Sequence, residues 1–119
     1  MTVVTDPTID GIGETTAVVR ASGDDAPGTM YFALRTSGAY GSGEQNNVRN
    51  GTGAAWYGND ANSWRTSLVA FGLTDNTLYY LGVFVDDGAD SPVVGTSFTS
   101  KSLLAPATGG KALPRGSLL

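Results

Sequence analysis

Six aspartates in three predicted loops are the residues of this chain best suited to hold a cation. They are Asp24, Asp25, Asp60, Asp86, Asp87 and Asp90, in loops over residues 23–28, 58–63 and 86–91 that contain no lysine or arginine. Calcium binds several carboxylate and carbonyl oxygens in a flexible cage, so Asp24, Asp25, Asp86, Asp87 and Asp90 are calcium candidates. No spacing of the EF-hand type supports them, and solvated turn aspartates are the alternative. No other metal is predicted.

The chain lacks the side chains on which most catalytic sites depend. Its 119 residues contain no histidine and no cysteine, which removes the usual general base, the thiol nucleophile and the common zinc ligands. Paired carboxylates hydrolyse glycosides only across a cleft, which a small sandwich is not expected to offer. There is no G-x-S-x-G nucleophile motif. We therefore expect a protein that is not an enzyme and uses no cofactor.

Aromatic residues cluster in the long middle segment, where Trp56, Tyr57 and Trp64 stand near Tyr40. With the neighbouring Asn and Asp side chains, a flat aromatic surface could anchor a protein partner or stack on a sugar ring. Tryptophan in a small domain is more often part of the core. The three aromatics Trp56, Tyr57 and Trp64 are thus candidate surface contacts with core packing as the alternative.

The charge of the chain is divided between its body and its last residues. The net charge is −4, but residues 1–100 hold all 11 acidic side chains and four arginines, a net −7, whereas residues 101–119 hold two lysines and one arginine, a net +3. The acidic balance argues against binding nucleic acid. No stretch approaches the ~20 apolar residues of a membrane span, and the first residues lack the pattern of a signal peptide. We expect neither a membrane nor a nucleic acid as partner.

The last segment, residues 101–119, shows neither helical nor strand periodicity and is predicted to be an extended arm. Leucines separated by Gly and Pro fit along a partner's groove but do not make a core of their own. The candidate partner-binding residues are Lys101, Leu103, Leu104, Lys111, Leu113, Arg115, Leu118 and Leu119.

Alternating apolar residues between turn residues predict a β-rich body. The predicted strands are 15–22, 29–36, 65–71, 78–85 and 92–99. Residues 37–64 are too many for a structureless connection. There, Ser42 to Gln45 fits a capping box and predicts a short helix over 43–49, with Val48 facing inward and an end near Gly51.

The pattern Leu73-x-x-x-Thr77-x-Tyr79, followed by alternating Leu81, Val83 and Val85, resembles strands E and F of fibronectin type III domains. There the tyrosine forms a corner, buried with its hydroxyl bonded to nearby backbone. DPTIDGIGETTAVVRAS is similar to strands A and B, GTMYFALRT to strand C, and VFVDDGADSPVVGTSFTS to strands F and G. In many relatives strand B carries a core tryptophan where this chain has Ala21, so Trp56 or Trp64 is expected to fill that volume.

The resemblance implies an all-β fold: a fibronectin III or immunoglobulin-like β-sandwich over residues 7–100, with a short helix in the middle segment, an N-terminal arm over 1–6 and a C-terminal arm over 101–119. The three acidic loops are then expected at one end of the sandwich, and the basic arm at the other.

The segments GTMYFALRTSG, EQNNVRNGTGAA and GLTDNTLYYLGVFVDDGADSPV further resemble a subgroup common in structural proteins of tailed bacteriophages and prophages. This implies a noncatalytic virion protein that decorates a capsid or tail in many copies, anchored to other virion proteins by its arm. The alternative is a host-recognition module of a tail fibre or tail tip that binds a glycan or receptor.

Overall fold

A computed structural model describes residues 3–23, 28–63 and 65–103 as two antiparallel sheets packed face to face, with one short helix. The elements are β1 (Val4–Asp10), β2 (Ala17–Gly23), β3 (Gly28–Arg35), α1 (Gln45–Asn50), β4 (Trp56–Ser63), β5 (Arg65–Ala70), β6 (Leu78–Asp86) and β7 (Val94–Thr99). The strand orders are β1-β2-β5 and β4-β3-β6-β7. The predicted all-β sandwich with a short helix in its middle segment is therefore confirmed. The predicted arm lies outside the described residues from position 104 onward.

The main core lies between the two sheets and follows the alternation of the strands. In β2, Ala17, Val19 and Ala21 are buried while Arg20 is exposed. On the facing sheet, the inward residues of β3 and β6 complete the same cluster: Met30, Phe32, Leu34, Tyr79, Leu81, Val83 and Val85. Each large side chain buried in this way contributes about 1.5–3 kcal/mol, and these contributions hold the two sheets together.

A second, smaller core covers the outer face of the four-stranded sheet. Ala33 and Phe84 project from that face and pack against Val48 of α1 and Val93. Tyr31 stacks on Phe84 with ring centroids 5.1 Å apart. Because both faces of β6 are covered, its sequence is almost continuously apolar.

The helix begins two residues later than predicted. It spans Gln45–Asn50 and ends at Gly51 in the left-handed conformation (φ 67°), and Val48 is buried as expected. The predicted capping box is wrong, because Glu44 occupies the N-cap position and no side chain caps the helix. Glu44 instead accepts the Gly41 N–H at 2.6 Å, while Gln45 donates to the Ser42 carbonyl.

Residues 58–63 form part of a strand, and the loop predicted there is wrong. They belong to β4, which pairs antiparallel with β3 from Leu34↔Trp56 to Gly28↔Ser63. The polar sequence WYGNDANS lacks alternation, so its strand conformation comes from pairing with the buried β3 and not from its own pattern.

The first residues join the sheet sooner than predicted. Val4 and Thr5 pair with Gly23 and Ser22 of β2, so residues 4–6 of the predicted N-terminal arm are part of β1. The register then shifts between Thr5 and Thr8, where Asp6 has φ 49° and precedes Pro7. A bulge is where an edge strand tolerates proline, which cannot donate to the ladder.

The strand pairings separate two ends of the sandwich. At one end lie the pairs Val4↔Gly23, Gly28↔Ser63 and Thr29↔Asp86; at the other lie Ala17↔Ala70, Leu34↔Trp56 and Leu78↔Thr99. We call the first the acidic end, since the loop of Asp86, Asp87 and Asp90 extends from it, and the second the arm end, where β7 finishes. Acidic loop and arm origin thus lie at opposite ends, as the topology of a sandwich predicts.

Tyr79 closes the turn between β5 and β6 from inside the core. Its side chain is buried and stacks on Phe98 at 5.7 Å. Its hydroxyl accepts the Thr74 N–H at 2.7 Å, while Leu73 is buried beside it. Within the turn the Thr77 hydroxyl donates to the Asp75 carbonyl at 2.8 Å. This geometry is that of a tyrosine corner, which joins the two sheets through one side chain.

Replacing Tyr79 by phenylalanine keeps the buried ring and removes the acceptor of the Thr74 N–H. We expect Tyr79→Phe to lower the free energy of unfolding by about 1 kcal/mol, the usual net contribution of one hydrogen bond. Denaturant unfolding measures it. The matched control is Tyr80→Phe on the opposite face of the same strand, expected to change stability by less than about 0.5 kcal/mol. Equal effects of the two variants would contradict a special role for the corner.

Candidate functional site

The origin of the arm is held firmly on the turn between β5 and β6. Ser100 is buried; its hydroxyl accepts the Thr77 N–H at 3.0 Å and donates to the Thr74 carbonyl at 2.7 Å. The Ser100 N–H also donates to the Thr77 carbonyl at 3.0 Å. A serine at this position therefore ties the end of β7 to the turn that Tyr79 closes.

The next three residues continue along the same turn. Lys101 donates its N–H to the Gly13 carbonyl and accepts the Asn76 N–H, at 2.9 and 3.1 Å. The Leu103 N–H donates to a carboxylate oxygen of Asp75 at 3.1 Å. Residues 100, 101 and 103 are thus each bonded to this turn, which holds the chain against it as far as Leu103.

Two of the eight predicted partner-binding residues are described. Lys101 and Leu103 are exposed at the arm end, on backbone fixed by the bonds above. The remaining six lie outside the described residues: Leu104, Lys111, Leu113, Arg115, Leu118 and Leu119.

A groove of about 550 Å³ runs between β4 and β5, the outer strands of the two sheets on the same side of the sandwich. We call it the edge groove. Its lining includes Ala55, Trp56, Gly58, Leu68, Val69 and Phe71, and none of the described residues that line it carries a charge. An uncharged groove flanked by two strands suits an extended apolar peptide.

The edge groove concentrates exposed apolar surface. Phe71 is 65% exposed, Val69 58% and Tyr57 54%, and all three belong to its lining. Other large apolar side chains exposed in the described part of the chain are Leu78 and Leu103. Tyr57 pairs with Ala33 of the helix-covered face, whereas Val69 and Phe71 lie on the outer face of the three-stranded sheet. Single exposed apolar residues are common, but the neighbouring pair Val69 and Phe71 marks a candidate interaction surface.

Sequence reasoning missed Val69 and Phe71. Residues 65–71 were predicted as a strand, and Ala70 is buried while its neighbours Val69 and Phe71 are exposed. The available signal was that Val69 and Phe71 are apolar although they alternate with the buried Ala70. A strand with one face in solvent normally has polar residues at such outward positions.

Of the three candidate surface aromatics, one is buried, one is exposed and one lies outside the described residues. Trp56 is 9% exposed and belongs to the main core, together with Ala21, so its assignment as a surface contact is wrong and its expected core role is correct. Gly58 makes room for the indole, since a Cβ there would lie 3.1 Å from a ring carbon of Trp56. Tyr57 is exposed beside the edge groove, and Trp64 lies outside the described residues. The glycan platform predicted for the host-recognition alternative thereby loses Trp56.

Arginine from the helix neutralises part of the acidic end. Arg49 forms a salt bridge with Asp90 and lies 3.7 Å from a carboxylate oxygen of Asp86. Its guanidinium also stands over the rings of Phe84 and Tyr31, at 4.9 and 5.3 Å. The prediction that these loops lack a cation overlooked the helix, which brings one from 37 residues earlier in the chain.

The calcium candidates that the structure describes are accordingly not gathered around a free centre. Asp86 and Asp90 face the guanidinium of Arg49, and Asp87 is also engaged in an interaction. Asp24 and Asp25 lie outside the described residues. Asp60 accepts a hydrogen bond from Thr66 at 3.3 Å, away from that loop. Among the side chains that the structure describes, no three acidic groups meet in a metal-binding arrangement.

A partly buried ion pair between Arg35 and Glu44 fixes the segment that carries the helix. Arg35 at the end of β3 donates from both terminal nitrogens to the two carboxylate oxygens of Glu44, each at 2.9 Å. Its guanidinium lies 3.8 Å above the ring of Tyr40. The hydrogen bonds from Arg35, then those from Gly41 and Asn47, lower the pKa of Glu44 to about 2. The pair is missed by sequence reasoning because its members are nine residues apart in a segment without periodicity.

The low pKa of Glu44 makes the stability of the fold depend on pH. Since the folded-state value lies below the ordinary 4.5, the ion pair stabilises the fold fully above that pH and progressively less down to about pH 2. We expect Glu44→Gln to be less stable than the wild type near pH 7 and the difference to shrink through this range. Denaturant unfolding at several pH values measures it.

The control for this experiment is Asp10→Asn, which removes an exposed ion pair with Arg20. Exposed pairs contribute little, so this variant is expected to follow the wild type within about 0.5 kcal/mol near pH 7. A stability gap between Glu44→Gln and wild type that stays constant down to pH 2 would contradict the assignment.

Comparison with known proteins shows the fold class. No family model and no curated protein matches the chain. Among solved structures, a β-sandwich protein redesigned by computer is 23% identical, with 87% of this chain and 93% of that chain covered and a TM-score of 0.63. A myokine structure is 13% identical, covering 82% and 95%, with a TM-score of 0.58.

The sensor domain of the anti-sigma factor RsgI4 in Pseudobacteroides cellulosolvens is 14% identical, covering 86% of this chain and 96% of that chain, with a TM-score of 0.52. At such identities a likeness shows the fold alone. The chain is a β-sandwich domain. In the part of the chain that the structure describes, no helix has the length and apolar character needed to cross a membrane.

Proposed function

We propose that this chain is a noncatalytic structural subunit of a phage particle, a decoration or accessory protein of the capsid or tail that is anchored to neighbouring subunits by its arm. The observation that carries the proposal is the fixed origin of the arm. Hydrogen bonds of residues 100–103 hold it on the turn between β5 and β6, at the end of the sandwich opposite the acidic loop.

The chemistry of the arm suits an anchor. Residues 104–119 contain four leucines and two cations separated by Gly, Pro and Ala, a composition that binds along a partner surface in extended form. Sixteen extended residues span roughly 50 Å, enough to reach across a neighbouring small domain. The opposite charges of body and arm favour oriented encounters between subunits.

The phage assignment rests on the resemblance of three sequence segments to the subgroup found in phage structural proteins. The noncatalytic assignment rests on a sequence without histidine, cysteine or a nucleophile motif. The exposed apolar residues of the edge groove add support for a role in protein contacts, since such a surface is favourable when another chain covers it.

Replacing the four leucines Leu104, Leu113, Leu118 and Leu119 by serine in the full-length chain tests the anchor. We expect a folded protein whose incorporation into assembled particles falls at least about tenfold, because burying one leucine already contributes more than 1.4 kcal/mol. Quantitative gel analysis of purified particles measures this. The matched control carries methionine at the same four positions and is expected to be incorporated normally. Incorporation of the serine variant at the wild-type level would show that the arm is not the anchor.

A further inference from the structure

We propose that the edge groove is the receptor for the arm, and that residues 104–119 of a second copy of this chain bind there as an extended strand along β4. The inference rests on the proposed function and deepens it by naming the partner as another copy of this chain. The receiving surface is the half of β4 nearest the arm end, together with the facing part of β5.

The apolar chemistry of groove and arm is complementary. The groove presents Phe71 and Val69 to solvent on its β5 side, without a charged side chain in its described lining. The arm supplies leucines spaced by small residues. A peptide that adds to a strand places alternate side chains toward the domain, and the exposed Val69 and Phe71 offer apolar contact to leucines at those positions.

The edge strand β4 pairs regularly where it lines the groove, whereas the edge strand β1 on the opposite side is interrupted by a bulge. There, β1 packs against β7, and β1 carries Pro7 within a bulge, a device that blocks edge-to-edge pairing. β4 and β5 each pair with a strand on one side alone, β3 and β2 respectively. The register of β4 against β3 shifts only near the acidic end, between Asp60 and Ser63. The stretch from Trp56 to Asp60 pairs regularly with β3.

The direction of β4 and the position of the two ends favour the arm of a second copy. β4 runs from the arm end to the acidic end, so an antiparallel partner must run from the acidic end to the arm end. A second copy docked with its arm end on the acidic end of the first delivers an arm in that direction. The arm of the same chain starts at the arm end and would have to run parallel to β4, the less stable pairing.

Length and charge fit the same arrangement. β4 has eight residues and is therefore about 26 Å long, so an arm of about 50 Å entering at the acidic end passes along it into the groove. Lys101 of the docked copy would then lie near the loop of Asp86, Asp87 and Asp90. Such a contact joins two different surfaces, and repeating it gives a ring or a filament of many copies.

Complementation between two full-length variants tests the inference. The arm variant carries serine at the four arm leucines and keeps the groove; the groove variant carries Val69→Thr and Phe71→Ser and keeps the arm. The matched control is Leu78→Ser, an exposed leucine outside the groove. Sedimentation velocity over a range of concentrations measures self-association, and thermal unfolding confirms that each variant folds.

We expect the wild type and the control to associate with rising concentration, and each of the two test variants to associate at least about tenfold more weakly. A one-to-one mixture of arm variant and groove variant should form a dimer and stop there, since only one arm and one groove remain functional. In that mixture, backbone amides of Tyr57 to Asn59 should gain protection from hydrogen exchange.

Three results would overturn the inference. The first is a groove variant that associates like the control. The second is a wild type that stays monomeric at all concentrations, with the groove either empty or filled by the arm of the same chain. The third is a particle assay in which the arm variant is excluded but the groove variant is incorporated normally; there the arm still anchors the protein, to a different partner. Normal incorporation of the arm variant itself would instead contradict the proposed function.

Discussion

The turn between β5 and β6 is the point on which both the fold and the arm depend. From the core side, the Tyr79 hydroxyl accepts its Thr74 N–H; from the other side, Ser100 bonds to both Thr77 and Thr74. The turn over residues 71–77 therefore links the two sheets to each other and to the chain that leaves β7. Because Tyr79 and Ser100 are both buried, the packing of the core fixes the place at which the chain leaves β7.

The helix-bearing segment accounts for the distribution of apolar and charged surface. It covers the outer face of the four-stranded sheet and is fixed at one end by the pair of Arg35 and Glu44 and at the other by Arg49 with Asp90. Arg35 and Arg49, which the sequence alone presents as surface charges, thus hold in place the segment that completes the second core around Val48 and Phe84. With that face covered, exposed apolar residues remain concentrated beside β4 and β5.

The sequence predicted those elements whose own pattern determines them. The strands around Val19, Phe32 and Leu81 alternate or are continuously apolar because their faces are buried, and the left-handed Gly51 ends the helix where expected. β4 was missed because its polar residues become a strand only by pairing with β3. The edge groove was missed because it depends on which strands lie at the outer edges, and strand order comes from contacts between residues distant in sequence.

The edge groove follows from the way the chain crosses between the sheets. β4 ends at Ser63 in one sheet and β5 begins at Arg65 in the other, so at the acidic end the two outer strands are joined covalently. At the arm end Trp56 and Ala70 belong to different sheets, and the gap between their strands is bordered by Gly58 and Leu68. A sandwich closed on this side only at one end must either fill the other with larger side chains or leave it to another chain. Trp56 fills the space beside Gly58, where a Cβ would lie 3.1 Å from its ring. The exposed side chains of Val69 and Phe71 border the part that remains for another chain.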